Sequence, residues 1–278
     1  MKTSAGLFLT DILPKKRGLI NRIIKNKIFR NDIPVGKVFE NLKKSGVDGI
    51  ELFLPYYKKV TYEDIIDVKS VLAHNNMPVL SIHQSLRFFT KTKLAEITQL
   101  FSFADMLHAK VIVLHMSTAG RQVFNNEYIT TLHSLQKKYD IKVGFENREK
   151  FIGSLLSNYG WREDKFSQLM KKDNFHITLD TTHLATTGGD IIDFFKKNKD
   201  RIINIHLSDY KPNIFNSTLR PFRYKHLPFG KGSLPIEKFL KILHQENYQG
   251  LVTMEIHTDL DGMCECARII ENSRNGEQ

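Results

Sequence analysis

The feature that most constrains this chain is an alternation that runs from one end to the other. Short apolar runs rich in β-branched residues alternate with stretches of helical periodicity. The runs Gly6–Leu9, Val47–Leu52, Pro78–His83, Lys110–His115, Lys142–Glu146, Ile177–Asp180, Arg201–His206 and Gly250–Glu255 read as eight strands. Helical spacing covers Val35–Lys44, Tyr62–Asn75, Thr92–Leu107, Glu127–Tyr139, Asp164–Lys171, Asp190–Asn198 and Pro235–Glu246, and Met263–Asn272 closes the chain. Gly46 ends the first of these helices. Before it, a basic segment places Leu19, Ile20, Ile23 and Ile24 on one helical face.

Alternation of this kind demands parallel strands joined by helical crossovers. An open doubly wound sheet usually carries a glycine-rich phosphate loop after its first strand, whereas Thr10-Asp11-Ile12-Leu13 stands here. Eight units in ~250 residues is the length of a closed (β/α)8 TIM barrel. The expectation is therefore an α/β protein with a single barrel domain over residues 1–278, its longest irregular stretch lying at Tyr210–Gly232.

Composition narrows the setting. A hydrophobic share of 41% and a charged share of 26% suit a globular protein with a sizeable core. No apolar run reaches the ~18 residues of a membrane span. Ala5–Leu9 is too short for the apolar region of a signal peptide, so a cytoplasmic protein is expected, and a homo-oligomer is compatible with it. Cys264 and Cys266 fall ~200° apart around a helix, which disfavours a disulfide between them. The net charge of +11 is concentrated at Lys15, Lys16, Arg17, Arg22, Lys25, Lys27 and Arg30. Such a run reads either as a solvated helix face or as a surface for an anionic partner, a phosphorylated metabolite or nucleic acid; charge alone does not separate the two.

The chemistry lies at the strand ends. Glu51, His83, His115, Glu146, Asp180, His206 and Glu255 close seven of the eight runs, and His183 follows Asp180 by three residues. In a barrel these positions ring one pocket at the C-terminal face. Taken singly, each reads as a helix cap or a satisfied core histidine. As a set, carboxylates crowded together repel one another, and a cation is their natural companion. Mixed carboxylate and imidazole ligands suit one divalent ion: Mn²⁺, Mg²⁺, Co²⁺ or Zn²⁺.

Several short motifs follow in order: Gly49-Ile50-Glu51, Ser81-Ile82-His83, Phe145-Glu146-Asn147, Asp180-Thr181-Thr182-His183, Ile205-His206-Leu207-Ser208-Asp209, His226-Leu227-Pro228-Phe229-Gly230-Lys231-Gly232, and Tyr248-Gln249-Gly250-Leu251 leading to Glu255. With them the chain resembles the xylose-isomerase-like TIM barrels, which include sugar isomerases, sugar epimerases and the endonuclease IV-type apurinic/apyrimidinic endonucleases. The isomerase and epimerase branch implies Glu146, Asp180, His206 and Glu255 as ligands of one divalent metal. It implies Glu146 and Glu255 as the catalytic pair that moves a proton through a metal-bound enediolate of a small sugar or sugar phosphate. His183 would donate to a substrate oxygen, and His83, His115, Asp209 and His226 complete the expected substrate-binding set, Asp209 reading equally as a residue that orients a neighbour. The endonuclease branch implies instead three zincs, held by His83, His115 and Glu146, by Glu146, Asp180, His206 and Glu255, and by His183 and His226 with an Asp two residues before the latter. That place is Tyr224, and the first strand lacks the branch's histidine motif. Isomerase or epimerase is the expected function. The alternatives are the endonuclease, a metal-dependent lyase and a polyol-binding barrel without catalysis.

Around this set, Arg220, Arg223 and Lys225 read as a phosphate grip or a solvated loop, and Gly230 and Gly232 as a close backbone approach, bare helix-start N–H groups or a plain turn. Trp161 and Phe88-Phe89 read as pocket walls or as core, and His257 as a neighbour of the ligand set.

Overall fold

A computed structural model describes residues 1–13, 33–55, 60–84, 94–115, 125–149, 162–212 and 224–275. The basic segment and the side chains of Phe88, Phe89, Trp161, Arg220 and Arg223 lie outside the described residues. The strands are β1 (Lys2–Phe8), β2 (Gly49–Phe53), β3 (Val79–His83), β4 (Val111–His115), β5 (Lys142–Glu146), β6 (His176–Asp180), β7 (Ile202–Leu207) and β8 (Leu251–Met254). They close in sequence order into a barrel, and every neighbouring pair is parallel, β8 against β1 included. The described helices are α1 (Leu9–Ile12), α2 (Val35–Lys44), α3 (Tyr62–His74), α4 (Leu94–Met106), α5 (Asn126–Tyr139), α6 (Glu163–Lys172), α7 (Thr181–Thr186), α8 (Ile191–Asn198), α9 (Ile236–Gln245) and α10 (Leu260–Asn275). None of them is long and apolar enough to cross a membrane.

Local chemistry explains the element ends. Thr61 and Asp64 form a reciprocal capping box at α3, and Asn125 and Asp190 cap α5 and α8 with their side chains. Gly46, at φ +90, closes α2 in a conformation that costs glycine nothing. Between barrel and helices packs an apolar layer that includes Phe39, Phe101, Phe145, Phe166, Phe194, Phe195 and Phe239, all buried. Strands covered on both faces read as unbroken apolar runs, which is why the alternation was legible.

Two expectations need correcting. The first strand is Lys2–Phe8, not Gly6–Leu9, and Leu9 already belongs to α1. Thr3 and Ser4 are fully buried although polar, on opposite faces of the strand, and Ser4 joins a polar layer of the barrel interior. A search for apolar runs passes over such residues. Glu51 likewise does not end its strand: β2 continues to Phe53, and Glu51 points into the interior. Its oxygens reach Ser81 of β3 and Asn204 of β7 on the far side, a span available only through the barrel.

Candidate metal centre

At the C-terminal rim, neighbouring strands deliver the ligand set in register. His115 lies beside Glu146 and Asp180 beside His206, while Glu255 follows β8 by one residue. Glu146, Asp180, His206 and Glu255 each offer an atom within 4.8 Å of the others'. His83, His115 and Glu146 form a second such group, and Asp180, His183 and His226 a third.

The contacts inside these groups have the character of a ligand shell. His206 Nδ1 lies 2.7 Å from Glu255 Oε2 and 3.1 Å from Glu146 Oε1. His115 Nε2 lies 2.5 Å and His83 Nε2 3.5 Å from Glu146 Oε2. Two donors on one divalent ion with bonds of ~2.1 Å stand about 3.0–3.4 Å apart; the two longer contacts lie near this spacing, and the two shorter ones would open slightly around an ion. Glu146 Oε2, Asp180 Oδ2 and Glu255 Oε2 are shielded from solvent and accept no well-aligned hydrogen bond, although His115 and His206 nitrogens stand close to the first and the last. Three unsatisfied carboxylate oxygens in one place would be costly unless a cation met them. The donor set therefore fits a divalent ion.

The protonation balance says the same. Burial pushes Asp180 up to about 8, with Glu255 and Glu146 adding to it against the pull of His183. Burial also opposes charge on Glu146, yet His115, His206 and His83 hold it well below the usual carboxylate range. Against the partial desolvation of its carboxylate, Glu255 is held low by His226 and His206. His206, against burial, is raised well above the ordinary value by Glu51, Glu255 and Glu146. Burial lowers His115 and His226 to about 4, so both are neutral and have a lone pair to give. Without a metal, one acid of this set thus holds a proton at neutral pH, and a cation would replace it.

Asp180 has two tasks. Its Oδ1 accepts from His183 N at 2.7 Å and caps α7, while Oδ2 is the unsatisfied atom. The helix cap thus occupies one oxygen and leaves the other facing the rim group. The carboxylate that Tyr224 lacks is supplied to His183 and His226 by Asp180. Once the cap is made, only one of its oxygens remains for either group, so the two groups compete for it.

Asn147, part of a motif but given no role by it, locks this arrangement. Its side chain accepts from Asp180 N at 2.7 Å and donates to Asp180 O at 3.0 Å, and its carbonyl lies 3.0 Å from His183 Nδ1. Thr181 Oγ1 donates to Ser208 O at 2.8 Å and so ties the ends of β6 and β7.

Asp209 departs from the expected substrate contact. It is buried, and its two oxygens accept from the backbone N–H of Tyr210, Gly230, Gly232 and Leu234 at 2.8–3.0 Å. It holds the loop that follows His226. A Cβ on Gly232 would stand 2.3 Å from Asp209 Oδ1, which is why glycine occurs there. The bare N–H groups of this loop thus serve Asp209. Lys225 is nearly buried and paired with Glu149, so its charge is already matched. His257 N donates to His226 O at 2.7 Å, and the two rings are 5.4 Å apart. Cys264 and Cys266 are free and buried.

Comparison with known proteins places these features among relatives. A family model described as a xylose isomerase-like TIM barrel matches residues 39–273. An inosose dehydratase of Clostridium botulinum is 27% identical over 241 residues, 77% of this chain and 79% of that protein. The crystal structure of a D-tagatose 3-epimerase-like protein superposes with a TM-score of 0.67 at 17% identity, covering 99% of both chains. An IOLI protein crystallised with a bound zinc atom superposes at 0.65 with 14% identity, over 100% of this chain and 99% of its own.

Proposed function

The chain belongs to the xylose isomerase-like TIM-barrel family, and on that premise we propose that it is a divalent-metal-dependent isomerase or epimerase of a small sugar or sugar phosphate. The observation that carries the reading is the rim group of Glu146, Asp180, His206 and Glu255, with its unsatisfied carboxylate oxygens. These four would hold the ion. A divalent cation there would polarise the carbonyl of a bound hydroxyketone and acidify the neighbouring C–H.

The chain's own groups do the rest. Glu255 keeps a quarter of its side chain exposed, whereas that of Glu146 is 1% exposed among imidazoles. Glu255 is therefore the carboxylate free to take up and return the carbon-bound proton. Glu146 sits deeper, and its exchange with the opposite face of the sugar distinguishes epimerisation from isomerisation. His183 is raised above the ordinary value, since Asp180 and Glu146 outweigh its burial. Its Nδ1 lies 3.0 Å from Asn147 O and donates there, which leaves Nε2 to meet a substrate oxygen, as a donor when the ring is protonated. His83, His115 and His226 line the same rim beside the polyol.

A second reading, a lyase, is favoured by the inosose dehydratase relative. Dehydration begins with the same removal of a proton next to a carbonyl and diverges only when a hydroxyl leaves.

The test is metal content followed by exchange. Protein purified without added metal is expected to hold about one divalent ion per chain, and to exchange solvent deuterium into a ketose or its phosphate in a panel, with exchange lost in Glu146→Gln. Exchange accompanied by loss of water would establish the lyase. Two to three zincs per chain with nicking of an abasic duplex would replace both readings by the endonuclease. No exchange into any ketose would leave a polyol-binding barrel.

A further inference from the structure

Glu51 lies beneath the rim and outside the ligand set, yet it is a fully buried carboxylate. Its Oε2 accepts from Ser81 Oγ at 2.5 Å and from Asn204 Nδ2 at 2.8 Å. Thr253 Oγ1, 3.0 Å from Asn204 Oδ1, fixes that amide in turn. Three strands thus cooperate to aim one acid, and Oε1 is left without a hydrogen bond, 2.8 Å from His206 Nε2. So dedicated a mounting calls for a task.

One candidate task is a further metal site, since Glu51, His83 and His206 offer atoms within 4.8 Å of one another. The imidazole excludes it. A neutral ring has one lone pair and one N–H. His206 Nδ1 faces Glu146 and Glu255 at the rim, so a cation there takes the Nδ1 lone pair, and the ring proton stays on Nε2. Nε2 then has a hydrogen to donate, and Glu51 Oε1 is the acceptor within reach. His83 does not compete for this role, because its Nδ1 lies 2.7 Å from Gln84 O and its Nε2 turns toward Glu146.

We propose that Glu51 is a positioning residue that accepts the Nε2–H of His206, thereby fixing the tautomer and ring orientation in which Nδ1 binds the metal. The inference rests on the reading of the rim group as a metal site. Outer partners of this kind orient a ligating imidazole and raise its basicity, and their loss typically weakens metal binding about 10–100-fold.

The test is metal affinity rather than turnover. Wild-type apoprotein and Glu51→Gln are titrated with Zn²⁺ against a chromophoric chelator and with Co²⁺ followed in the visible. The expected result is a Zn²⁺ Kd weaker by about 10–100-fold in E51Q, together with a displaced Co²⁺ band. A purely structural Glu51 would lower the apoprotein's melting temperature and leave Kd and the Co²⁺ band unchanged, and that result overturns the proposal. Wild-type protein that binds neither ion would overturn the proposed function itself, and this inference with it. Should E51Q fail to fold, long-range ¹H–¹⁵N spectra of the zinc-loaded wild type decide: a His206 proton on Nε2 supports the proposal, and one on Nδ1 overturns it.

Discussion

Asp180→Asn separates the two tasks that Asp180 performs on different oxygens. An Asn side chain can still accept from His183 N and cap α7, but it brings no charge to the rim. In the metal-free wild type, burial raises the Asp180 carboxyl from 3.8 to about 8, so it is protonated at pH 7 when folded and ionised when unfolded. That uptake spans about 3 pH units and costs on the order of 4 kcal/mol of stability at pH 7. The sign follows from linkage. Between pH ~4 and ~8 the folded state holds the extra proton, so apoprotein stability falls as pH rises through this window and levels off above it. Asn is neutral in both states and removes the slope. At roughly 2–4 °C per kcal/mol for a chain of this size, apo D180N is expected to melt several degrees above apo wild type at pH 7 and level with it near pH 4. Asp180→Ala loses the cap as well and should fall about 1 kcal/mol below Asn. Both variants should lose the rise in melting temperature that Zn²⁺ gives the wild type. The assay is thermal melting of chelator-treated protein from pH 4 to 8, with and without Zn²⁺. If apo D180N melts no higher than wild type at pH 7, or keeps the same pH slope, the argument from a buried, strained carboxylate is wrong.

Three further outcomes are expected. Zn²⁺ affinity should fall at least about tenfold per pH unit as pH drops below 8, because binding displaces the Asp180 proton and any proton on His206 Nδ1; competition titrations at pH 6, 7 and 8 read it, and a constant Kd counts against the site. Removing the metal by dialysis against a chelator should lower stability by about 2.7 kcal/mol relative to protein in Zn²⁺ at 100 times Kd, read as a shift in the urea midpoint. Asp209→Ala strands four backbone N–H groups at about 1–3 kcal/mol for each left buried. It should therefore cost at least about 2 kcal/mol in urea unfolding while leaving Zn²⁺ affinity within a few-fold of wild type, whereas a residue that served only the substrate would leave stability untouched.

The barrel could be read from the sequence alone, as could most of the acids and histidines gathered at its rim, Glu51 excepted. Strands buried on both faces must be apolar along their whole length, and crossover helices must show one apolar stripe, so both patterns lie on the surface of the sequence. An acid or histidine that stops an apolar run, as at His83, His115, Glu146 and Asp180, is visible for the same reason. The use of each polar group could be seen only in the folded chain, because its partners come from distant parts of the sequence. Asp209 and Asp180 are both acids beside strand ends, yet one is consumed by the Tyr210 amide and three amides of a loop some twenty residues on, while the other keeps an oxygen facing Glu146 and Glu255. The polar interior layer of Ser4, Glu51, Ser81, Asn204 and Thr253 is assembled from five strands and resembles no local motif. Periodicity reports which way a side chain faces, and closure of the barrel decides what it meets there.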